Sequence, residues 1–141
     1  MSQGRILFVC GGNTCRSPMA EALARSLAGD RGLHFSSAGL SAEEGQLASA
    51  PARAVMARRG LSLEAHRSRE FCEELISEAN LVLAMEEKHR RRLRRFASAK
   101  GKVVLLSEWA GKPAPGPGVV DPFGGEQEEY EGTADQLAAL I

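Results

Sequence analysis

The sequence predicts an α/β fold, a single domain over residues 1–141 with a four-stranded parallel sheet and helices on both faces. Three observations lead there. Short runs rich in β-branched and aromatic residues alternate with amphipathic helical stretches, the order expected of strand-helix-strand units. No linker, repeat or low-complexity segment divides the chain. At 141 residues and 43% hydrophobic content, it can bury about two-thirds of its unfolded surface in one core.

The elements follow in order. Arg5 to Val9 carries the buried run Ile6-Leu7-Phe8-Val9 and starts the sheet. Ser17-Pro18 reads as an N-cap followed by proline at the first helical position, opening a helix to about Ala28. Met19, Leu23 and Leu27 mark one face of it, and Gly29 closes it. His34 to Ser37 is the second strand. Pro51 to Arg59 is a helix stopped by Gly60, and Ser68 to about Ala79 is another, with Phe71, Leu75 and Ile76 inward. Leu81 to Ala84 and Val103 to Leu106 complete the strands, and Glu86 to Phe96 and Glu126 to Ile141 supply the last helices.

Composition narrows the function classes. Eighteen basic and eighteen acidic residues cancel, so no global field recruits nucleic acid or an anionic membrane. The apolar run after Met1-Ser2-Gln3-Gly4-Arg5 is too short for a signal segment or a membrane span, and a cytoplasmic protein is expected. Cys10, Cys15 and Cys72 lack paired ligand spacing with any histidine, so no metal and no cofactor is expected. Lys88 to Arg95 is strongly basic: either a solvated helix face, or a docking patch for an acidic partner.

The informative segment is Cys10-Gly11-Gly12-Asn13-Thr14-Cys15-Arg16-Ser17-Pro18, between the first strand and the first helix. A strand-loop-helix junction gathers free backbone N–H groups and the positive helix end around whatever the loop holds, which suits a phosphate dianion. Cys10, near that helix end and near Arg16, is expected to have a lowered pKa and to act as a nucleophile. Arg16 can clamp two phosphate oxygens with its planar fork. Gly11 and Gly12 permit positive φ and Asn13 tolerates the left-handed region, so the loop can wind around an anion. Gly11, Gly12, Asn13, Thr14, Cys15 and Arg16 are the candidate phosphate-binding residues.

This segment, through Met19-Ala20-Glu21, resembles the low-molecular-weight protein tyrosine phosphatases. Ser36-Ser37-Ala38-Gly39, Arg59-Gly60-Leu61, His66-Arg67-Ser68-Arg69, Asn80-Leu81-Val82-Leu83-Ala84-Met85 and Asp121-Pro122-Phe123 recur in the family's order, so the resemblance covers nearly the whole chain. It implies two-step hydrolysis of a phosphorylated protein side chain through a phosphocysteine. Cys10 is then nucleophile, Arg16 clamp, and Asp121 general acid then base. On the residues alone, Asp121 in the Pro/Gly-rich stretch Gly111 to Gly125 reads first as an aspartate of an Asx-Pro turn and only second as an acid at the carboxyl edge of the sheet, and the resemblance reverses that order. The resemblance also implies that Ser17 donates to the thiolate and that Asn13 and His66 pin the loop by mutual hydrogen bonding. Without it, His66 is a solvent-facing polar residue. Cys15 has two readings, a thiol that traps an oxidised Cys10 as a disulfide or an apolar filler under the loop.

Within the family, Thr14 and Asp121-Pro122-Phe123-Gly124-Gly125 resemble the protein arginine phosphatase branch, where threonine at that position goes with phosphoarginine. Phe123 is expected to wall the substrate in either branch. The glycines after it, and the lack of an aromatic residue in Ser41 to Ser49, weaken the case for a phenol slot. Phosphotyrosine is the alternative substrate. An arsenate reductase would need two further thiols and has only Cys72 beyond the loop. A silent phosphate-binding module is the non-enzyme alternative. The sequence leaves the oligomeric state open.

Overall fold

The computed structural model describes residues 4–29, 32–96, 99–109, 119, 122, 125 and 127–140. Four parallel strands, β1 (Arg5–Cys10), β2 (His34–Gly39), β3 (Leu81–Ala84) and β4 (Val103–Leu105), form a sheet in the order β2-β1-β3-β4. Among the described residues six helices accompany them: α1 (Arg16–Ala28), α2 (Ala50–Arg58), α3 (Glu73–Glu78), α4 (Glu87–Leu93), α5 (Leu106–Trp109) and α6 (Gln127–Leu140). The chain leaves β1 toward β2 on one side and later returns to β3 on the other. That reversal opens a crevice at the carboxyl end of β1, where open α/β sheets bind ligands.

Period-two alternation in the central strands divides the core. Phe8 and Cys10 of β1 and Leu83 of β3 enter a cluster with Met19 and Leu23 of α1, Val55 and Met56 of α2, and Tyr130 and Leu137 of α6. Leu7, Val9, Val82 and Ala84 face the other way, against Ile76 of α3 and Leu93 of α4. Both faces are covered, which is why these strands read as continuous apolar runs.

Several boundaries differ from expectation, each for a physical reason. Helix α1 begins at Arg16, not Pro18, and Ser17 is not its cap, because the Ser17 hydroxyl is engaged by Cys10 and Asn13. Leu27 is 59% exposed: eight residues after Met19 it is rotated about 80° off the buried stripe. Strand β2 runs to Gly39, since Ala38 and Gly39 pair with Val9 and Cys10. The helix expected from Ser68 starts only at Glu73. Ser68 is locked to Gln46, donating from its N–H (2.7 Å) and accepting at its hydroxyl (2.9 Å). Arg69 and Phe71 pair with Gly39 as an extended segment. Phe71 and Leu75 still pack on the second cluster, though Phe71 does so from outside the helix. Helix α2 starts at Ala50 behind Ser49, whose hydroxyl accepts from Ala52 N–H, and ends at Arg58 before Gly60 at φ 77°. Strand β4 stops at Leu105, where α5 begins, and α4 spans fewer residues than expected.

Candidate active site

The loop between β1 and α1 surrounds a cavity of about 290 Å³ lined by residues 10–16 and Ser41. Cys10 lies at its floor, 2% exposed, with its Sγ 2.9 Å from Ser17 Oγ and 3.3 Å from the Asn13 backbone N–H. The direction of the first contact follows from its neighbour. Asn13 Nδ2 donates to Ser17 Oγ at 2.8 Å, so the hydroxyl's own hydrogen is available to Cys10. Asn13 is held in turn: its Oδ1 accepts from Arg69 N–H at 2.9 Å, and its carbonyl lies 2.8 Å from His66 Nε2. Ser17 thus lies between Asn13 and the thiol, and His66 meets Asn13 at its backbone carbonyl.

The loop's positive φ falls on Asn13, at 58°, and not on Gly11 or Gly12. The expectation for the two glycines is thus corrected. Asparagine tolerates this conformation at modest cost, and the bonds from Arg69 and His66 hold it there. Gly12 is exposed at the rim and Gly11 faces His89, 4.0 Å from where a Cβ would stand. The close approach is made by Gly39 of β2, where a Cβ would come within 2.5 Å of the Gly11 carbonyl. Leu40 and Ser41 N–H donate to the Cys10 and Gly11 carbonyls at 3.0 and 2.9 Å, bracing the loop from β2.

Burial pushes the Cys10 thiol up, and this outweighs the downward pull of Ser17, Arg16 and the Asn13 backbone. The expected net lowering is absent because the thiol is buried. The Arg16 charge is also shared: its Nη1 lies 2.9 Å from the Glu86 carboxylate and donates to the Val119 carbonyl at 2.9 Å. Those two contacts fix the guanidinium plane beneath the loop.

Glu86 is a site residue that sequence reasoning missed. The signal was its position, just past the carboxyl end of the strand next to β1. His89 was also passed over; it is buried, with Nε2 3.6 Å from Glu86 and Nδ1 accepting from Glu86 N–H at 3.2 Å. Thr14 is half-buried beside Gly12 on the rim. Cys15 points under the loop, with Sγ 3.5 Å from both Ser49 Oγ and Tyr130 Oη. Asp121 and Phe123 lie outside the described residues. Among the described residues, no group of three His, Cys, Asp or Glu side chains is placed to hold a metal, and no helix is long and apolar enough to cross a membrane.

The basic segment is divided. Arg90 pairs with Glu87 and Glu108, Lys88 lies 3.7 Å from Glu86, Arg94 donates to the Val103 carbonyl, and His89 is inward, while Lys88, Arg91, Arg92, Arg94 and Arg95 are exposed.

Residues 5–141 match the low molecular weight phosphotyrosine protein phosphatase family. The chain belongs to this family. It is 42% identical over 138 residues to a protein-arginine-phosphatase of Geobacillus stearothermophilus, covering 97% of this chain and 90% of that one. It is 36% identical to the low molecular weight protein-tyrosine-phosphatase PtpB of Staphylococcus haemolyticus, covering 97% of this chain and 94% of the relative. A solved structure of a YwlE arginine phosphatase mutant, with a phosphorylated active-site serine, superposes with a TM-score of 0.89 at 38% identity, covering 96% of this chain and 90% of that one. The protein is thus a cysteine-dependent phosphatase with the family's α/β fold.

Proposed function

We propose that this phosphatase hydrolyses phosphoarginine in proteins, with Cys10 as nucleophile and Arg16 as phosphate clamp. The observation that carries the nucleophile assignment is the buried Cys10 Sγ facing the Ser17 hydroxyl at 2.9 Å on the floor of the anion loop. A protonated thiol meeting a phosphate dianion passes its proton to a phosphate oxygen. The thiolate then attacks phosphorus, forming the S–P bond as the P–N bond to the guanidine breaks. Asp121 protonates the departing nitrogen. In the second step Asp121 accepts a proton from water as its oxygen attacks phosphorus, the S–P bond breaks, and inorganic phosphate leaves with Cys10 restored. Arg16 offsets the charge spread over the transferring oxygens in both steps. Asn13 and His66 keep the loop wound, and Phe123 walls the leaving group.

Two features support arginine over tyrosine: Thr14 at the rim of the cavity, and the likeness to arginine phosphatases at 42% and 40% identity. Working on proteins through a reduced thiol suits a cytoplasmic setting. The test compares phosphoarginine and phosphotyrosine side by side on reduced protein, with Cys10→Ser and Thr14→Ile as partners. The expected result is a phosphoarginine preference that vanishes in Cys10→Ser and moves toward phosphotyrosine in Thr14→Ile. A phosphotyrosine preference in the unmutated protein would overturn the arginine reading and leave the cysteine chemistry standing.

A further inference from the structure

A second cavity, of about 430 Å³, lies between the first turns of α1, the middle of β2 and the segment 62–69, and shares no lining residue with the catalytic cavity. Its volume falls within the span of small-molecule sites, about 300–1,000 Å³. Arg25, Arg67, Arg69 and His66 line it against a single carboxylate, Glu21. Glu21 is already paired with Arg25 at 2.6 Å. Arg67 Nη1 donates only to the Glu64 and His66 carbonyls, and Arg69 Nε to the Ser37 carbonyl. Among the described residues neither has a carboxylate partner. The walls therefore hold two uncompensated guanidiniums, which concentrate positive potential and present planar donors to a carboxylate or phosphate.

We propose that this cavity is an effector site for a small polyanion bearing carboxylate or phosphate groups, coupled to the catalytic loop through Asn13. The coupling is a short path. His66 and Arg69, on the cavity wall, make the two contacts that hold Asn13 at positive φ. Asn13 in turn contacts Cys10 Sγ through its N–H and positions Ser17 through its amide. An anion drawing on His66 and Arg69 changes how firmly Asn13 is held, and with it the alignment of the nucleophile.

Turnover of p-nitrophenyl phosphate by the full chain, titrated with citrate in one arm and inorganic phosphate in the other, tests this. An anion at the Cys10 loop raises KM alone. An anion in the second cavity shifts kcat, by about fivefold at saturation on the usual scale of coupling. The arm that shifts kcat tells a carboxylate from a phosphate ligand. Arg67→Glu, whose side chain touches only backbone carbonyls of its own segment, is expected to keep basal kcat and KM. The half-effect concentration should then rise at least about tenfold, the loss of about 1.4 kcal/mol of binding. Should its basal rate fall, Arg25→Gln on the opposite wall carries the same comparison. Purely competitive behaviour with both anions, no effect of either, or a kcat shift that survives both substitutions would overturn the proposal.

Discussion

At Cys10 burial and hydrogen bonding pull in opposite directions, and burial wins. Ser17 supplies the largest counterweight, so its hydroxyl is the group that makes a buried thiol usable. In Ser17→Ala only Arg16 and the backbone N–H groups still oppose burial, and the thiol titrates at still higher pH. Activity at neutral pH should fall roughly 10- to 100-fold, the worth of a hydrogen bond to a charged group. Iodoacetamide alkylation of Cys10, followed against pH, should show its rise displaced upward; an unshifted curve would mean that Ser17 does not support the thiolate. Glu86 makes a second test. Glu86→Gln keeps the shape but removes the negative charge beside Arg16. The less compensated guanidinium should bind product phosphate more tightly, while the loosened fork lowers kcat about tenfold. Phosphate inhibition constants and kcat measured together check this, and no change in either would leave Glu86 without a part.

At the scale of elements, the catalytic loop is held by β2 as much as by its own helix. Gly39 leaves room for the Gly11 carbonyl, and the strand end donates two N–H groups to the loop. A methyl at Gly39 would meet backbone at 2.5 Å, which no side-chain rotation relieves. Gly39→Ala should therefore cost about 1–3 kcal/mol of stability, the usual cost of overpacking, and displace the loop. Urea denaturation and turnover of a small phosphate ester should fall together; a stable, fully active variant would show that β2 does not brace the loop. Much of this site was legible in the sequence because Cys10, Arg16 and Ser17 follow one another on a single loop after an apolar strand. Glu86, His89 and Gly39 were harder to find because each joins the site from another element, Gly39 and Glu86 at or just past strand ends and His89 from the first turn of α4, and not from the local motif. That Asn13 tolerates the left-handed region was legible, but that it takes it while Gly11 and Gly12 do not was not, because the stabilising contacts, from His66 and Arg69, come from 53 and 56 residues away. The helix expected from Ser68 was overridden in the same manner, by pairing with Gly39.

For the whole molecule, the alternating pattern correctly predicted the four parallel strands and the two-faced core, since periodicity of two and of 3.6 records which side of a residue is buried. What it could not weigh was α6, which covers the α1 and α2 face of the sheet and reaches the underside of the catalytic loop through Tyr130. That helix carries Gly132 in its interior, exposed, with nothing within 4 Å of a Cβ placed there. Glycine in a helix costs on the order of 1 kcal/mol relative to alanine, because the unfolded chain gives up more freedom. Here no contact returns that cost. Gly132→Ala should raise stability by about 0.5–1 kcal/mol and the melting temperature by about 3 °C for a domain of this size. Because the position faces away from Tyr130 and the loop, kcat should stay unchanged. Thermal unfolding and turnover of the same preparation decide the matter. A melting temperature that does not rise would mean that α6 frays before the core opens, so that its stability is not linked to global unfolding. A rise with a lower kcat would mean that the catalytic loop depends on movement of α6.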